Sequence, residues 1–176
     1  MTPAGGNGKK RRTRRLLLFV CTGNICRSPM AEYMLKKRLG PDSCWHVTSA
    51  GTFASYGAPA SENAVKVLAE RGVNLRSHLS KPLTRDLIDG AALIVVMTAA
   101  HREQLLEHVG GISEKLFTLK SFTSGGEGDV QDPIGLSIDT YRAVRDEIES
   151  ALPELTGLLE EIAGEKNGNV DPGAKR

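Results

Sequence analysis

The apolar positions along the chain fall into short continuous runs that alternate with segments of helical spacing. Two runs, at 16–20 and 93–97, are apolar throughout, as expected of strands that are covered on both faces. Shorter strands are predicted at 45–48 and 117–119. Strands that alternate with helices predict a single α/β domain of three layers, in which a four-stranded parallel sheet carries helices on both faces.

Helical spacing predicts four helices, at 29–39, 61–71, 100–108 and 141–162. Ser61 is the expected N-cap of the second helix, and Gly72 follows its end. The last helix has the longest signal, with an apolar residue at every third or fourth position until Gly164 ends it. Pro153 lies inside this helix, so we expect a kink or a division into two pieces there.

The composition is that of an ordinary globular protein, with 40% hydrophobic and 25% charged residues. No apolar run approaches the roughly 18 residues that a membrane span needs. The run at 16–20 follows basic residues, but it is too short for a secretory signal and no small-residue cleavage pattern follows it. The cysteines number three, an odd count without zinc-site spacing, so we expect reduced thiols, no metal and a cytoplasmic location.

The charge is unevenly distributed along the chain. No acidic residue precedes Glu32, and without the six basic residues nearest the N-terminus 17 basic residues face 21 acidic ones, a net charge of −4. Those six are Lys9, Lys10, Arg11, Arg12, Arg14 and Arg15. Such an arm could contact nucleic acid, but we expect a flexible, solvated tail at 1–15 and no nucleic-acid partner. The predicted domain is then 16–164, followed by a second flexible tail at 165–176.

Candidate chemistry lies where the first strand meets the first helix, in the loop Cys21-Thr22-Gly23-Asn24-Ile25-Cys26-Arg27-Ser28. The backbone N–H groups of such a loop can converge on one anion, and the helix N-terminus adds unpaired donors, so residues 22–27 are predicted to bind phosphate. These surroundings also favour the thiolate form of a cysteine, which makes Cys21 the candidate nucleophile. Arg27 can bind two phosphate oxygens, and Ser28 can donate a hydrogen bond to the sulfur.

The residues from Cys21 to Glu32, Cys-Thr-Gly-Asn-Ile-Cys-Arg-Ser-Pro-Met-Ala-Glu, resemble the signature of the low-molecular-weight protein tyrosine phosphatase family. The resemblance extends over roughly 16–162. It implies a flavodoxin-like, phosphotyrosine phosphatase I-like fold, a phosphocysteine intermediate at Cys21, a phosphorylated protein as substrate, and neither cofactor nor metal.

The leaving group of a phosphoester needs a proton donor, and Asp132 is the candidate. An Asp before a Pro in a Gly-rich stretch is ordinarily a turn residue. The resemblance implies a catalytic role, because family members carry an Asp-Pro acid just before the last helix. Asp132 occupies that position and Asp129 does not. The same carboxylate would then activate the water that hydrolyses the phosphocysteine.

The resemblance also implies roles for residues outside the loop. Ser49 is expected to hold Asn24 in a strained loop conformation, and His78 is expected to brace the same network. Cys26 matches a loop cysteine that can form a reversible disulfide with the nucleophile. Cys44 is predicted to be a small packing residue.

The sequence gives conflicting indications of the substrate. Tyrosine-directed members often carry aromatic residues after the Asp-Pro pair, where this chain has Ile134 and Gly135, which leaves Phe53 and Tyr56 as candidate pocket walls. The segment 128–141 resembles the bacterial protein-arginine phosphatase branch, which carries Thr at the position of Ile25. Because Ile25 would touch the substrate, we predict phosphotyrosine, with phosphoarginine as the alternative for the same catalytic residues. Arsenate reductases share the loop but need further redox cysteines, and 99–111 contains none.

Overall fold

The computed structural model describes residues 14–164. Its centre is a parallel sheet with the strand order β2-β1-β3-β4. The strands are β1 (Arg15–Cys21), β2 (Trp45–Gly51), β3 (Ala91–Val96) and β4 (Leu116–Thr118). The predicted four-stranded parallel sheet is confirmed. The two predicted tails lie outside the described residues, except for Arg14 and for Arg15, which begins β1.

Helices connect the strands. They are α1 (Arg27–Leu39), α2 (Glu62–Ala69), α3 (Arg85–Gly90), α4 (Ala99–His108) and α5 (Ile138–Gly164), with short 3-10 turns at Ser113–Lys115 and Leu119–Phe122. The short helix α3 was not predicted. It begins after Thr84, whose hydroxyl accepts a hydrogen bond from Leu87 N.

Ser61 is the N-cap residue of α2, as predicted, although its side chain makes no capping hydrogen bond and its hydroxyl accepts from Cys26 Sγ instead. The expected division of the last helix was wrong, since α5 runs through Pro153 as one element. Pro153 is exposed, whereas Leu152 and Leu155 on either side are buried in the core, so packing holds both halves of the helix on the sheet.

Alternate side chains of β1 enter two separate cores. Leu17 and Phe19 belong to a cluster built with α1, α2 and α5, whereas Leu18 and Val20 belong to a cluster built with α3 and α4. The sheet is therefore buried on both faces, which is why β1 is apolar after its first residue, Arg15. None of the helices in 14–164 is long and apolar enough to span a bilayer.

The strand order determines where a ligand can bind. From the central strand β1 the chain goes to β2 on one side, and later returns to β3 on the other side. In open parallel sheets the crevice at such a reversal, beyond the carboxyl ends of the strands, is the usual binding site. Cys21 is the last residue of β1, so the loop that follows it begins in this crevice.

Candidate active site

The peptide units of the loop after β1 are turned so that their carbonyl groups point outward. Cys21 O accepts a hydrogen bond from the backbone N–H of Thr52, and Thr22 O accepts one from that of Phe53, each at 2.9 Å. Ile25 O accepts from Ser61 N at 2.9 Å, and Cys26 O accepts from 30 N at 3.1 Å. No cis peptide bond is present in 14–164, so the N–H group of each of these units points to the opposite side. N–H groups that are turned away from these carbonyl partners can converge on an anion such as phosphate.

The sulfur of Cys21 lies at the end of a hydrogen-bonded chain. Ser28 Oγ is 3.0 Å from Cys21 Sγ, and Asn24 Nδ2 donates to Ser28 Oγ at 2.9 Å and to Ser49 Oγ at 2.8 Å. Because the oxygen of Ser28 accepts from Asn24, its own proton is free to point at the sulfur. A hydroxyl oriented in this way stabilises a thiolate, both as nucleophile and as leaving group.

Asn24 holds the loop in its conformation. It is fully buried, and its φ of 54° is the one positive value among the non-glycine residues of 14–164. Asn24 Oδ1 accepts from Lys81 N at 2.9 Å, and its backbone carbonyl accepts from His78 Nε2 at 2.7 Å. Burial is the main cause that lowers the pKa of His78, so the neutral ring, with its proton on Nε2, is the form that braces the loop.

Glu32 extends this network and was not singled out from the sequence. Its side chain is buried, accepts a hydrogen bond from Ser49 Oγ and forms an ion pair with Lys36. Ser49 gives its proton to Glu32 and therefore presents only its oxygen to Asn24. The signal available in the sequence was an acidic residue inside an otherwise apolar turn of α1.

Arg27 joins the loop to the predicted acid. Its guanidinium donates to Val130 O at 3.1 Å and to Asp132 Oδ2 at 2.8 Å, although 105 positions separate Arg27 from Asp132. The Arg27 side chain is almost fully buried, whereas that of Asp132 is 43% exposed. Ile134 N donates to Asp132 Oδ1 at 3.2 Å. The carboxylate therefore lies next to the cation of the phosphate loop while remaining accessible from solvent.

Cys26 lies behind the loop. Its buried thiol donates to Ser61 Oγ at 3.1 Å and lies 3.3 Å from Tyr141 Oη. Burial raises the pKa of Cys26, and burial is also the first cause that raises the pKa of Tyr141 to about 12. Both groups are therefore protonated at neutral pH. Cys21, Cys26 and the partly buried Cys44 are free thiols.

His101, in the first turn of α4, contacts the phosphate loop and was missed by the sequence reasoning. Its Nε2 lies 2.9 Å from Thr22 Oγ1, and its Nδ1 lies 2.8 Å from Thr98 Oγ1. Burial, followed by the charge of Arg27, lowers the pKa of His101. A sequence signal existed, since Thr98 and His101 stand three residues apart just after a buried strand.

The predicted specificity residues lie on loops beside the site. Phe53 donates its backbone N–H to Thr22 O, and its side chain is 88% exposed. Ile134 follows the acid and is 52% exposed, while Ile25 is partly buried against the core. Tyr56 is 85% exposed. Within 14–164, no three His, Cys, Asp or Glu side chains form a group that could hold a metal ion.

Comparison with known proteins gives one consistent family. The sequence profile of the low molecular weight phosphotyrosine protein phosphatases matches residues 16–167. A protein-arginine-phosphatase of Bacillus subtilis is 44% identical over 146 residues, which cover 81% of this chain and 95% of the relative. The low molecular weight protein-tyrosine-phosphatase PtpB of Staphylococcus haemolyticus is 38% identical over 126 residues, 72% of this chain and 86% of the relative.

A solved structure agrees with this assignment. An arginine phosphatase, YwlE, in a cysteine-to-serine variant with a phosphorylated active-site serine, superposes with a TM-score of 0.74 at 42% identity, covering 82% of this chain and 95% of that one. The profile match covers residues 16–167, and the two relatives, which are 44% and 38% identical to this chain, each cover more than two thirds of it. The chain therefore belongs to the low molecular weight phosphotyrosine protein phosphatase family.

Proposed function

We propose that the protein hydrolyses phosphotyrosine in phosphorylated proteins, and that residues 16–164 carry this activity. The Cys21 thiolate attacks phosphorus and forms an S–P bond while the O–P bond to tyrosine breaks. Asp132 gives its proton to the departing phenolate oxygen. Water then attacks the phosphocysteine, Asp132 takes up a proton from that water, and the S–P bond breaks to return the thiolate, phosphate and the protonated acid.

One observation carries this proposal: the contact of Arg27 with Asp132 at 2.8 Å. This contact supports Asp132 as the acid, because its carboxylate lies beside the loop whose Cys21 sulfur has Ser28 as a hydrogen-bond partner at 3.0 Å. The planar guanidinium can bind two phosphoryl oxygens, while N–H groups of the loop can bind the remaining charge. The related YwlE arginine phosphatase variant, in which a serine replaces a cysteine, carries a phosphorylated active-site serine, and this supports phosphoryl transfer to Cys21.

The substrate preference rests on the apolar side chains next to the site. Ile25 belongs to the phosphate loop and is partly buried against the core, and the exposed Ile134 follows the acid. Neither offers a hydrogen bond to a substrate. A phenyl ring gains from contact with such groups, whereas a phosphoarginine guanidinium would lose hydrogen bonds to water without replacement. This comparison favours phosphotyrosine.

Phosphoarginine is the second candidate, because the arginine phosphatase of Bacillus subtilis is more similar to this chain than the tyrosine phosphatase PtpB. Both reactions use the same Cys21, Arg27 and Asp132. The two proposed activities differ only in the side chains of the pocket wall that contact the substrate.

Two peptides with one flanking sequence, one with phosphotyrosine and one with phosphoarginine, test the choice. We expect kcat/KM to favour phosphotyrosine by about 10-fold or more, the scale on which a pocket contact discriminates. Ile25→Thr should shift the ratio towards phosphoarginine, since it introduces a hydroxyl at the wall. The control variant Cys21→Ser should turn over neither peptide. A preference of the wild-type protein for phosphoarginine would reject the phosphotyrosine proposal in favour of the alternative.

We also propose that the protein works in the reducing environment of the cytoplasm. The nucleophile is a thiol that must stay reduced, and the three cysteines are free. Measuring activity in oxidising and reducing glutathione buffers tests the requirement, and activity that survives full oxidation would argue against it.

A further inference from the structure

We propose that Asp129 is a positioning residue that fixes the general acid by holding its loop on the N-terminus of α4. The proposal rests on the function of Asp132 proposed above. Asp129 Oδ1 accepts a hydrogen bond from Ala99 N at 2.7 Å. Ala99 is the first residue of α4, and the N–H groups of a first helical turn have no partner within their own helix. A carboxylate there is also favoured by the helix dipole.

The loop that carries the acid needs such an attachment. Residues 124–137 contain neither helix nor strand, and Gly126, Gly128 and Gly135 in it have positive φ values of 66°, 100° and 74°. Glycines of this kind leave a loop free to adopt other conformations. Asp129 follows one of them directly and stands three residues before Asp132.

The N-terminus of α4 is a suitable anchor because it is already fixed to the phosphate loop. His101 Nε2 lies 2.9 Å from Thr22 Oγ1, and the backbone N–H of Met97, the residue after β3, donates to Val20 O at 3.1 Å. Met97 O in turn accepts from Val130 N at 2.9 Å. The acid loop is therefore attached to a turn whose position relative to the phosphate loop is set by other bonds.

The contacts of Asp129 and Val130 leave the acid in place next to Arg27. The backbone N–H of Val130 donates to Met97 O, and its carbonyl accepts a hydrogen bond from Arg27, so both of its peptide groups are held in place. Asp129 adds the bond on the N-terminal side. Without it, the loop would be held on this side only by the bonds of Val130 and by the contact of Asp132 with Arg27.

The test compares two substrates that need the acid to different degrees. Phenol, like the tyrosine side chain, has a pKa of about 10, so phenolate is a poor leaving group and needs a proton. Nitrophenolate leaves readily without one. We expect Asp129→Ala to lower kcat/KM about 10-fold more for phenyl phosphate than for p-nitrophenyl phosphate. Asp129→Asn should keep most of the rate, because its amide oxygen can still accept from Ala99 N.

A second variant removes the donor instead of the acceptor. Ala99→Pro deletes the N–H at the first helical position, where proline is well tolerated, and the preceding Thr98 is already extended, as proline requires. It should reproduce the leaving-group effect of Asp129→Ala while leaving the thermal unfolding temperature close to the wild-type value. If Asp129 had only a structural role, both variants would lower kcat/KM equally for the two substrates.

Asp132→Ala separates this proposal from the proposed function. If Asp132→Ala shows the leaving-group effect and both Asp129→Ala and Ala99→Pro do not, the positioning role is overturned while the acid assignment stands. If Asp132→Ala itself affects both substrates alike, the acid assignment fails first, and the positioning role fails with it.

Discussion

Replacing Asn24 should damage the stability and the chemistry of the phosphate loop together. Asn24→Ala removes three hydrogen bonds of a fully buried side chain, those to Ser28, Ser49 and Lys81 N. At about 1 kcal/mol net for each bond the loss is about 3 kcal/mol. An alanine at a φ of 54° adds about 1 kcal/mol of backbone strain, so we expect a total near 4 kcal/mol.

Asn24→Gly is the matched control. It loses the same three bonds but tolerates the positive φ, so it should be about 1 kcal/mol more stable than Asn24→Ala. Both variants remove the donor that orients the Ser28 hydroxyl towards Cys21. We therefore expect both to lower kcat/KM by roughly 10²-fold, an effect that Ser28→Ala should approach without the full loss of stability.

Urea denaturation followed by circular dichroism gives the free energy of unfolding, and hydrolysis of p-nitrophenyl phosphate gives the rate. A loss of less than about 1 kcal/mol in Asn24→Ala would contradict the assigned role of Asn24, since three buried hydrogen bonds contribute more than that. Retention of the wild-type rate in Asn24→Gly would also contradict this role, because Ser28 would then not need its donor.

Three further outcomes are expected. In Gly51→Ala the new Cβ would clash with the carbonyl oxygen of Thr22 in the phosphate loop, so this variant should lose activity. The control Gly157→Ala lies in a helix interior, where the new Cβ meets nothing within 4 Å, so it should keep activity and gain up to about 1 kcal/mol of unfolding free energy; activity assays and urea denaturation check both. Burial lowers the pKa of His78 below its unfolded value, so its contribution to stability is complete above about pH 6.5 and is lost as the pH falls through the folded pKa. His78→Gln should consequently show a smaller loss of unfolding free energy between pH 7 and pH 5, and an unchanged loss would contradict this. The raised pKa of Cys26 predicts that iodoacetamide at pH 7 alkylates Cys21 well before Cys26, which peptide mass spectrometry can follow.

Much of the fold could be predicted because the sheet is buried on both faces. The interior of a strand in such a sheet is apolar, as β3 and the part of β1 that follows Arg15 are, so the strand can be located from hydropathy to within one or two residues at each end. The six-residue helix α3 could not be read in this way, since it is too short to show a period and buries one side chain, Ile88. The predicted division of the last helix at Pro153 was wrong because the packing of α5 outweighs the local preference of proline to end a helix.

The site shows the same division between local and distant signals. The loop from Cys21 to Ser28 is continuous, so its residues could be recognised together. Glu32 and His101 act through contacts with Ser49 and Thr22, and nothing local in the sequence indicates those partners. The sequence correctly indicates that Ser61 is the N-cap residue of α2, but nothing local indicates that its hydroxyl binds Cys26.

In the proposed mechanism the phosphoryl group passes through Cys21. Asp132→Ala should slow the hydrolysis of the intermediate more than its formation from p-nitrophenyl phosphate, because formation with this leaving group needs little acid catalysis. Rapid mixing of this variant with p-nitrophenyl phosphate, a quench in denaturant and tandem mass spectrometry would then locate the phosphoryl group. We predict the added mass of one phosphoryl group on Cys21. A phosphoryl group on another side chain, or full activity in Cys21→Ser, would contradict the account.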